Sequence, residues 1–98
     1  MSSVIYKYYA VIEEEREEDG RSAFIVSFPD LDNVFTDGDT LEEAVKHAWE
    51  VLVSMLWMFE QDGTPFSPPS PLSMIKDRLK EGDSLVLIEA DTDKDGLE

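Results

Sequence analysis

Residues 40–63, TLEEAVKHAWEVLVSMLWMFEQDG, decide the fold because they predict one long amphipathic helix. The first four have the form of a capping box, in which the Thr40 hydroxyl accepts from the Glu43 amide and the Glu43 carboxylate reaches back. Gly63, after Asp62, predicts the end of the helix near Gln61, because glycine readily adopts the left-handed conformation found there. At about 100° per residue, one face is apolar along its whole length. This face consists of Leu41, Ala44, Val45, Ala48, Leu52, Met55, Leu56 and Phe59. We therefore expect the helix to pack this stripe against one side of a sheet.

Four segments rich in β-branched and aromatic residues predict strands. They are residues 4–13, 23–28, 34–36 and 84–90. The first two predict an antiparallel hairpin around the acidic loop 14–20. Both faces of the first strand are largely apolar, so we expect both to be covered, inside the fold or across an oligomer contact. Ser70 and Pro71 have the form of an N-cap and first residue of a short second helix.

The element order is therefore β-β-β-α-α-β. It predicts a single small α+β domain over residues 1–90, with a mainly antiparallel sheet and the long helix on one face. Residues 91–98 form an acidic tail, which we expect to be disordered.

The charge of the chain restricts its partners. Eight basic and 23 acidic residues give a net charge of −15. Binding to nucleic acid or to an anionic membrane requires Lys and Arg, so the composition argues against both. A basic protein is the partner that such a charge favours. The chain contains no cysteine, which fits a reducing compartment, and we expect a cytoplasmic location.

No pattern in the sequence predicts catalysis, a cofactor or a metal. His47 is the single histidine, and helical periodicity leaves it without a Ser or Thr one turn away, as a nucleophilic triad would need. Residues 91–96 match the first half of an EF-hand loop, but its twelfth-position carboxylate would fall beyond Glu98. A second acidic group lies on turns, where Asp commonly bonds backbone amides. It consists of Asp30, Asp32, Asp37 and Asp39.

A second line on the long helix carries two tryptophans. Trp49, Val53 and Trp57 are spaced by four residues and turn away from the core stripe. The last helix or the proline-rich connector could cover them, or they could anchor a protein contact, where Trp is favoured. We assign this line to self-association and predict a homodimer.

Three stretches together resemble HicB-like antitoxin domains. They are YAVIE at 9–13, VSFPDL at 26–31 and FTDGDTLEEAV at 35–45. Asp62 and Gly63, with the prolines after them, extend the resemblance over about residues 6–90. The resemblance implies a partial RNase H-like fold and a non-enzymatic role. It also implies that the chain binds and neutralises HicA, a small basic toxin that cleaves mRNA, by covering the toxin's active site.

We expect the toxin contact to use the acidic turns. The residues are Glu14, Glu15, Glu17, Glu18, Asp30, Asp32 and Asp37. Many relatives continue into a DNA-binding module, whereas this sequence ends after the fourth strand, so we expect no DNA-binding role. Two alternatives stay open. One is an orphan homodimer without a toxin, and the other is a metal-dependent nuclease that uses Asp30, Asp37 and Asp39.

Overall fold

The computed structural model describes residues 5–92, and its element order confirms the predicted β-β-β-α-α-β arrangement. The elements are β1 (Ile5–Arg16), β2 (Ser22–Phe28), β3 (Leu31–Gly38), α1 (Leu41–Asp62), α2 (Leu72–Lys76) and β4 (Ser84–Asp91). All strand pairings are antiparallel, in the order β3-β2-β1-β4. The fold class is therefore α+β, as predicted. The predicted tail, including most of the EF-hand-like run, lies outside the described residues from position 93 onward.

β1 is one of the two inner strands and extends three residues further than predicted. Its final residues pair with β2, for example Glu14 with Phe24 and Arg16 with Ser22. Glutamate has low strand propensity, but at the solvated end of a hairpin its side chain stays in water while its backbone completes the ladder. The acidic connector between the two strands is correspondingly short.

β3 is longer than predicted because the chain turns sharply after β2. Phe28 pairs with Leu31 across only Pro29 and Asp30, whereas the preceding Ser27 pairs with Phe35. Three residues of β3 therefore bulge out of the ladder. The sequence predicted a turn over residues 29–33 because Asp and Asn favour turns, and this prediction was wrong in extent, whereas Val34 was correctly predicted in β3.

The predicted capping of α1 is confirmed, with one difference. The Glu43 amide donates to the Thr40 hydroxyl at 3.0 Å. The Glu43 carboxylate accepts from the Asp39 amide at 3.0 Å, one residue before the amide that a standard capping box uses. Gly63 ends the helix with φ at 68°, the left-handed conformation that glycine adopts without strain.

α1 lies across one face of the sheet and forms the core with it. Its buried residues are Ala44, Ala48, Leu52, Val53 and Leu56. They pack with sheet residues that share one face, chiefly Tyr8, Ala10, Ile12, Val26, Ile88 and Ala90. Leu41, which the predicted stripe included, is 45% exposed at the helix start. None of the helices within residues 5–92 is long and apolar enough to cross a membrane.

The second helix and the connector before it differ from the prediction. α2 has five residues, and Pro71 occupies the N-cap position without a side-chain capping bond. The predicted cap, Ser70, instead bonds to Asp30. Periodicity could not reveal this, since the two residues lie 40 positions apart in the chain.

Candidate protein-binding surfaces

The β1–β2 hairpin ends in a dense group of carboxylates, which we name the acidic tip. It consists of Glu14, Glu15, Glu17 and Glu18, all exposed. Glu14 and Glu15 lie on β1 rather than in a loop, and the Glu14 carboxylate accepts from the Ser22 hydroxyl at 2.7 Å. The other three have carboxylates that face water, where they create a local negative potential able to attract a cationic protein.

The second acidic group divides into one structural carboxylate, Asp30, and three exposed ones, Asp32, Asp37 and Asp39. Asp30 is half-buried, and its two oxygens accept from the amide and the hydroxyl of Ser70, the amide at 2.8 Å. Asp30 therefore holds the connector against the β2–β3 turn, a structural role that the sequence did not predict, and its expected contact with a partner stays a prediction. Asp32 and Asp37 are exposed on β3.

A buried tyrosine fixes the same connector at a second point. The Tyr8 hydroxyl donates to the Ser67 carbonyl, and Tyr8 is 1% exposed. Burial, and then the negative charge of Asp30, raises the pKa of Tyr8 to about 12. The hydroxyl therefore stays protonated and donates throughout the physiological pH range. The role of this pair is to position the connector.

A cavity of about 220 Å³ lies between the connector and the bulge of β3. Phe59 and Phe66 contribute to its wall and stack on each other with ring centroids 5.5 Å apart. Asp30 and Asp32 are the titratable groups of its lining.

The residues that sequence reasoning considered for chemistry are not brought together. The Nδ1 of His47 hydrogen-bonds to the Asp37 carbonyl at 2.7 Å, which ties α1 to β3. Within residues 5–92, no group of three His, Asp or Glu side chains is placed to hold a metal ion. Asp30, Asp37 and Asp39 thus lack the convergence that a metal-dependent nuclease needs.

The tryptophan line is only partly on the surface. Trp49 is 37% exposed and Trp57 is half-buried, but Val53 is 3% exposed and belongs to the core. Helical periodicity gives the angle of a residue around the axis but not how far neighbouring elements wrap around the helix. Of the three residues predicted for self-association, only the two tryptophans are accessible, and self-association stays a prediction.

A third surface, which sequence reasoning did not assemble, lies on the side of the sheet away from α1. We name it the open sheet face. Its large apolar residues are Ile5, Tyr9, Val11, Ile25, Phe35, Leu85 and Leu87. Phe35 is 66% exposed and Leu87 is 42% exposed. One face of β1 is covered inside the fold, as expected, whereas residues 5–92 leave this face partly exposed, and its expected cover across an oligomer contact stays a prediction. The alternating apolar residues Tyr9 and Val11 indicated in the sequence that β1 has a second apolar face. That Phe35 of β3 joins this face could be known only from the register of the strands.

Comparison with known proteins gives concordant matches. Residues 8–95 match the family model described as HicB-like antitoxin of bacterial toxin–antitoxin systems. The curated protein Antitoxin HicB 1 of Photorhabdus laumondii is 36% identical over 64 residues, which cover 65% of this chain and 39% of that protein. The matched region is thus well under half the length of this curated relative.

Two solved structures share the fold. A chain of a toxin–antitoxin complex from Streptococcus pneumoniae superposes with a TM-score of 0.73 at 18% identity, over 93% of this chain and 72% of that one. A chain of the HicA3 and HicB3 toxin–antitoxin complex superposes with a TM-score of 0.65 at 28% identity, over 87% of this chain and 98% of that one.

Proposed function

The chain belongs to the HicB-like antitoxin family of bacterial toxin–antitoxin systems, and on this premise we propose that it binds and neutralises a small basic toxin by covering the toxin's active site. One of the two similar structures is a complex of HicA3 with HicB3, so a HicA-like protein is the proposed partner. We propose further that the chain itself catalyses no reaction and acts by occupying the toxin.

The observation that carries this proposal is the net charge of −15 together with exposed carboxylates at two places on the fold. A toxin that cleaves mRNA must present a cationic surface to the phosphates of its substrate. An acidic protein is attracted to that surface and, once bound, keeps RNA away by bulk and by charge. Glu17 and Glu18 of the acidic tip and Asp32 and Asp37 of β3 are the exposed carboxylates best suited to this contact.

The test is a binding and rescue experiment with the purified product of the neighbouring toxin reading frame. We expect a stable complex whose affinity falls as salt rises, and we expect co-expression to restore growth. Replacing Glu17 and Glu18 by Lys, or Asp32 and Asp37 by Lys, should slow association. Glu81→Lys is the matched control, because Glu81 is an exposed carboxylate in the turn before β4. No complex and no restored growth would refute the antitoxin role.

We also propose self-association through Trp49, the more exposed of the two tryptophans. This contact would serve an orphan domain without a toxin equally well, so it does not distinguish the two functions. Sedimentation at tens of micromolar should give a dimer, and Trp49→Ala should weaken it. If the wild type sediments as a monomer at that concentration, and neither Trp49→Ala nor Trp57→Ala changes its sedimentation, the proposed dimer is refuted.

A further inference from the structure

The register of the sheet places seven large apolar side chains on the face that α1 does not cover. Tyr9 pairs with Leu87, and Val11 pairs with Leu85 on one side and with Ser27 on the other. Ser27 pairs in turn with Phe35. Paired residues point to the same face, and Tyr8, Ala10 and Ile12 occupy the opposite, buried face. The open sheet face therefore runs continuously across all four strands.

This continuity separates the open sheet face from ordinary exposed apolar residues. Single exposed apolar side chains are common, but contiguous patches of several hundred Å² usually mark a contact site. Three strand spacings of about 4.8 Å make the patch roughly 14 Å wide. Phe35 and Leu87 lie on the two outer strands and are 66% and 42% exposed, so nothing in residues 5–92 shields either end.

Carboxylates surround the apolar centre. The same register places Glu13, Glu15, Asp37 and Glu89 on this face. Lys7 is the basic residue among the face's described members, and it lies directly across from Glu89. The rim of the open sheet face is therefore anionic.

The anionic rim indicates which kind of protein binds the open sheet face. In a dimer formed by two copies through this face, a two-fold axis would bring the two anionic rims together. Like charges held that close oppose association. A protein whose binding surface has an apolar centre surrounded by Lys and Arg complements both the apolar residues and the anionic rim of the open sheet face.

We propose that the open sheet face is the surface that docks the basic toxin, a proposal that rests on the proposed function. Phe35 and Leu87 insert into apolar depressions of the toxin, and Glu13, Glu15 and Asp37 pair with basic side chains around them. Aromatic and aliphatic anchors inside a charged rim are the usual arrangement of a specific protein interface. The tryptophans of α1 lie on the other layer and stay available for self-association.

The experiment measures the affinity of the full chain for the purified product of the neighbouring toxin reading frame. Phe35→Thr and Leu87→Thr, alone and combined, remove apolar area and keep a residue that favours strands. We expect the double variant to bind about 30-fold more weakly or worse, as is typical when two apolar anchors of an interface are lost. Met58→Gln is the matched control, since Met58 is 47% exposed on α1, and it should change the affinity less than twofold.

A measurement on the unmodified chain covers the case in which the variants fold poorly. Hydroxyl-radical footprinting of the complex should show protection at Tyr9, Phe35 and Leu87, and none at Met58. Wild-type affinity in the double variant, or no protection at Phe35, would overturn this proposal and leave the antitoxin role intact. A double variant that loses self-association while retaining toxin binding would identify a second copy as the occupant and also overturn it. Failure of the unmodified chain to bind the toxin at all would overturn both proposals.

Discussion

Gly38 allows α1 to approach the sheet, and replacing it with alanine should separate the two layers. The residue ends β3, pairs with Phe24 and lies beneath the first turn of the helix. A Cβ at this position would be 2.5 Å from the amide nitrogen of Ala44 and 2.8 Å from its Cα. Ordinary carbon contacts are about 3.5–4.0 Å, so the layers would have to move apart by about 1 Å.

The size of the effect follows from what the added methyl group would meet. Backbone atoms cannot rotate away as a side chain can, and Thr40 and Glu43 hold this turn of α1 in place. Overpacking a core typically costs up to about 3 kcal/mol, and we expect Gly38→Ala to lie near that upper value. For a domain of this size, such a loss lowers the melting temperature by roughly 15 °C.

Urea unfolding followed by tryptophan fluorescence measures the effect, because Trp49 and Trp57 both lie on α1. Gly20→Ala is the control: its φ of 89° makes alanine strained, but no atom lies within 4 Å of the added Cβ. It should cost about 1 kcal/mol. If Gly38→Ala is destabilised no more than Gly20→Ala, close approach of the layers is not what requires a glycine at position 38.

Four further substitutions test individual contacts. Because the fold raises the pKa of Tyr8 from 10 to about 12, protonated Tyr8 stabilises the fold fully below pH 10, and wild type should lose roughly 2 kcal/mol more than Tyr8→Phe as pH rises from 10 to 12. Parallel urea titrations at pH 8 and pH 11.5 would measure this difference, and equal losses would contradict it. Thr40→Ala should reduce the free energy of unfolding by about 1 kcal/mol through loss of the helix cap, whereas an unchanged midpoint would show that the cap contributes nothing. Asp30→Ala should cost about 2 kcal/mol and Ser70→Ala less, because Ser70→Ala keeps the amide bond to Asp30. Asp30→Ala should also lower the pKa of Tyr8, as followed by absorbance at 295 nm, and an unchanged titration would contradict the influence of Asp30.

The functional residues were harder to predict than the helices and strands, because the sequence gives the charge of a side chain but not its position or its hydrogen-bond partners. Exposed acidic residues such as Glu17 and Asp37 lie on the surface, as their type indicates. Asp30 has the same chemistry, yet both of its oxygens bond to Ser70. The open sheet face could not be assembled in advance, because it requires the register that pairs Ser27 with Phe35 across the bulge.

By itself the sequence determined the order of the elements, the start and end of α1 and the acidic character of the surface. These depend on signals within a few residues of one another, such as the cap at Thr40, the left-handed end at Gly63 and the periodicity between them. Only the tertiary structure decided that Val53 is buried, that Asp30 holds the connector and that one face of the sheet is uncovered. Each of these depends on which distant segments pack together, and a contact between residues 40 positions apart leaves no periodic trace in the chain.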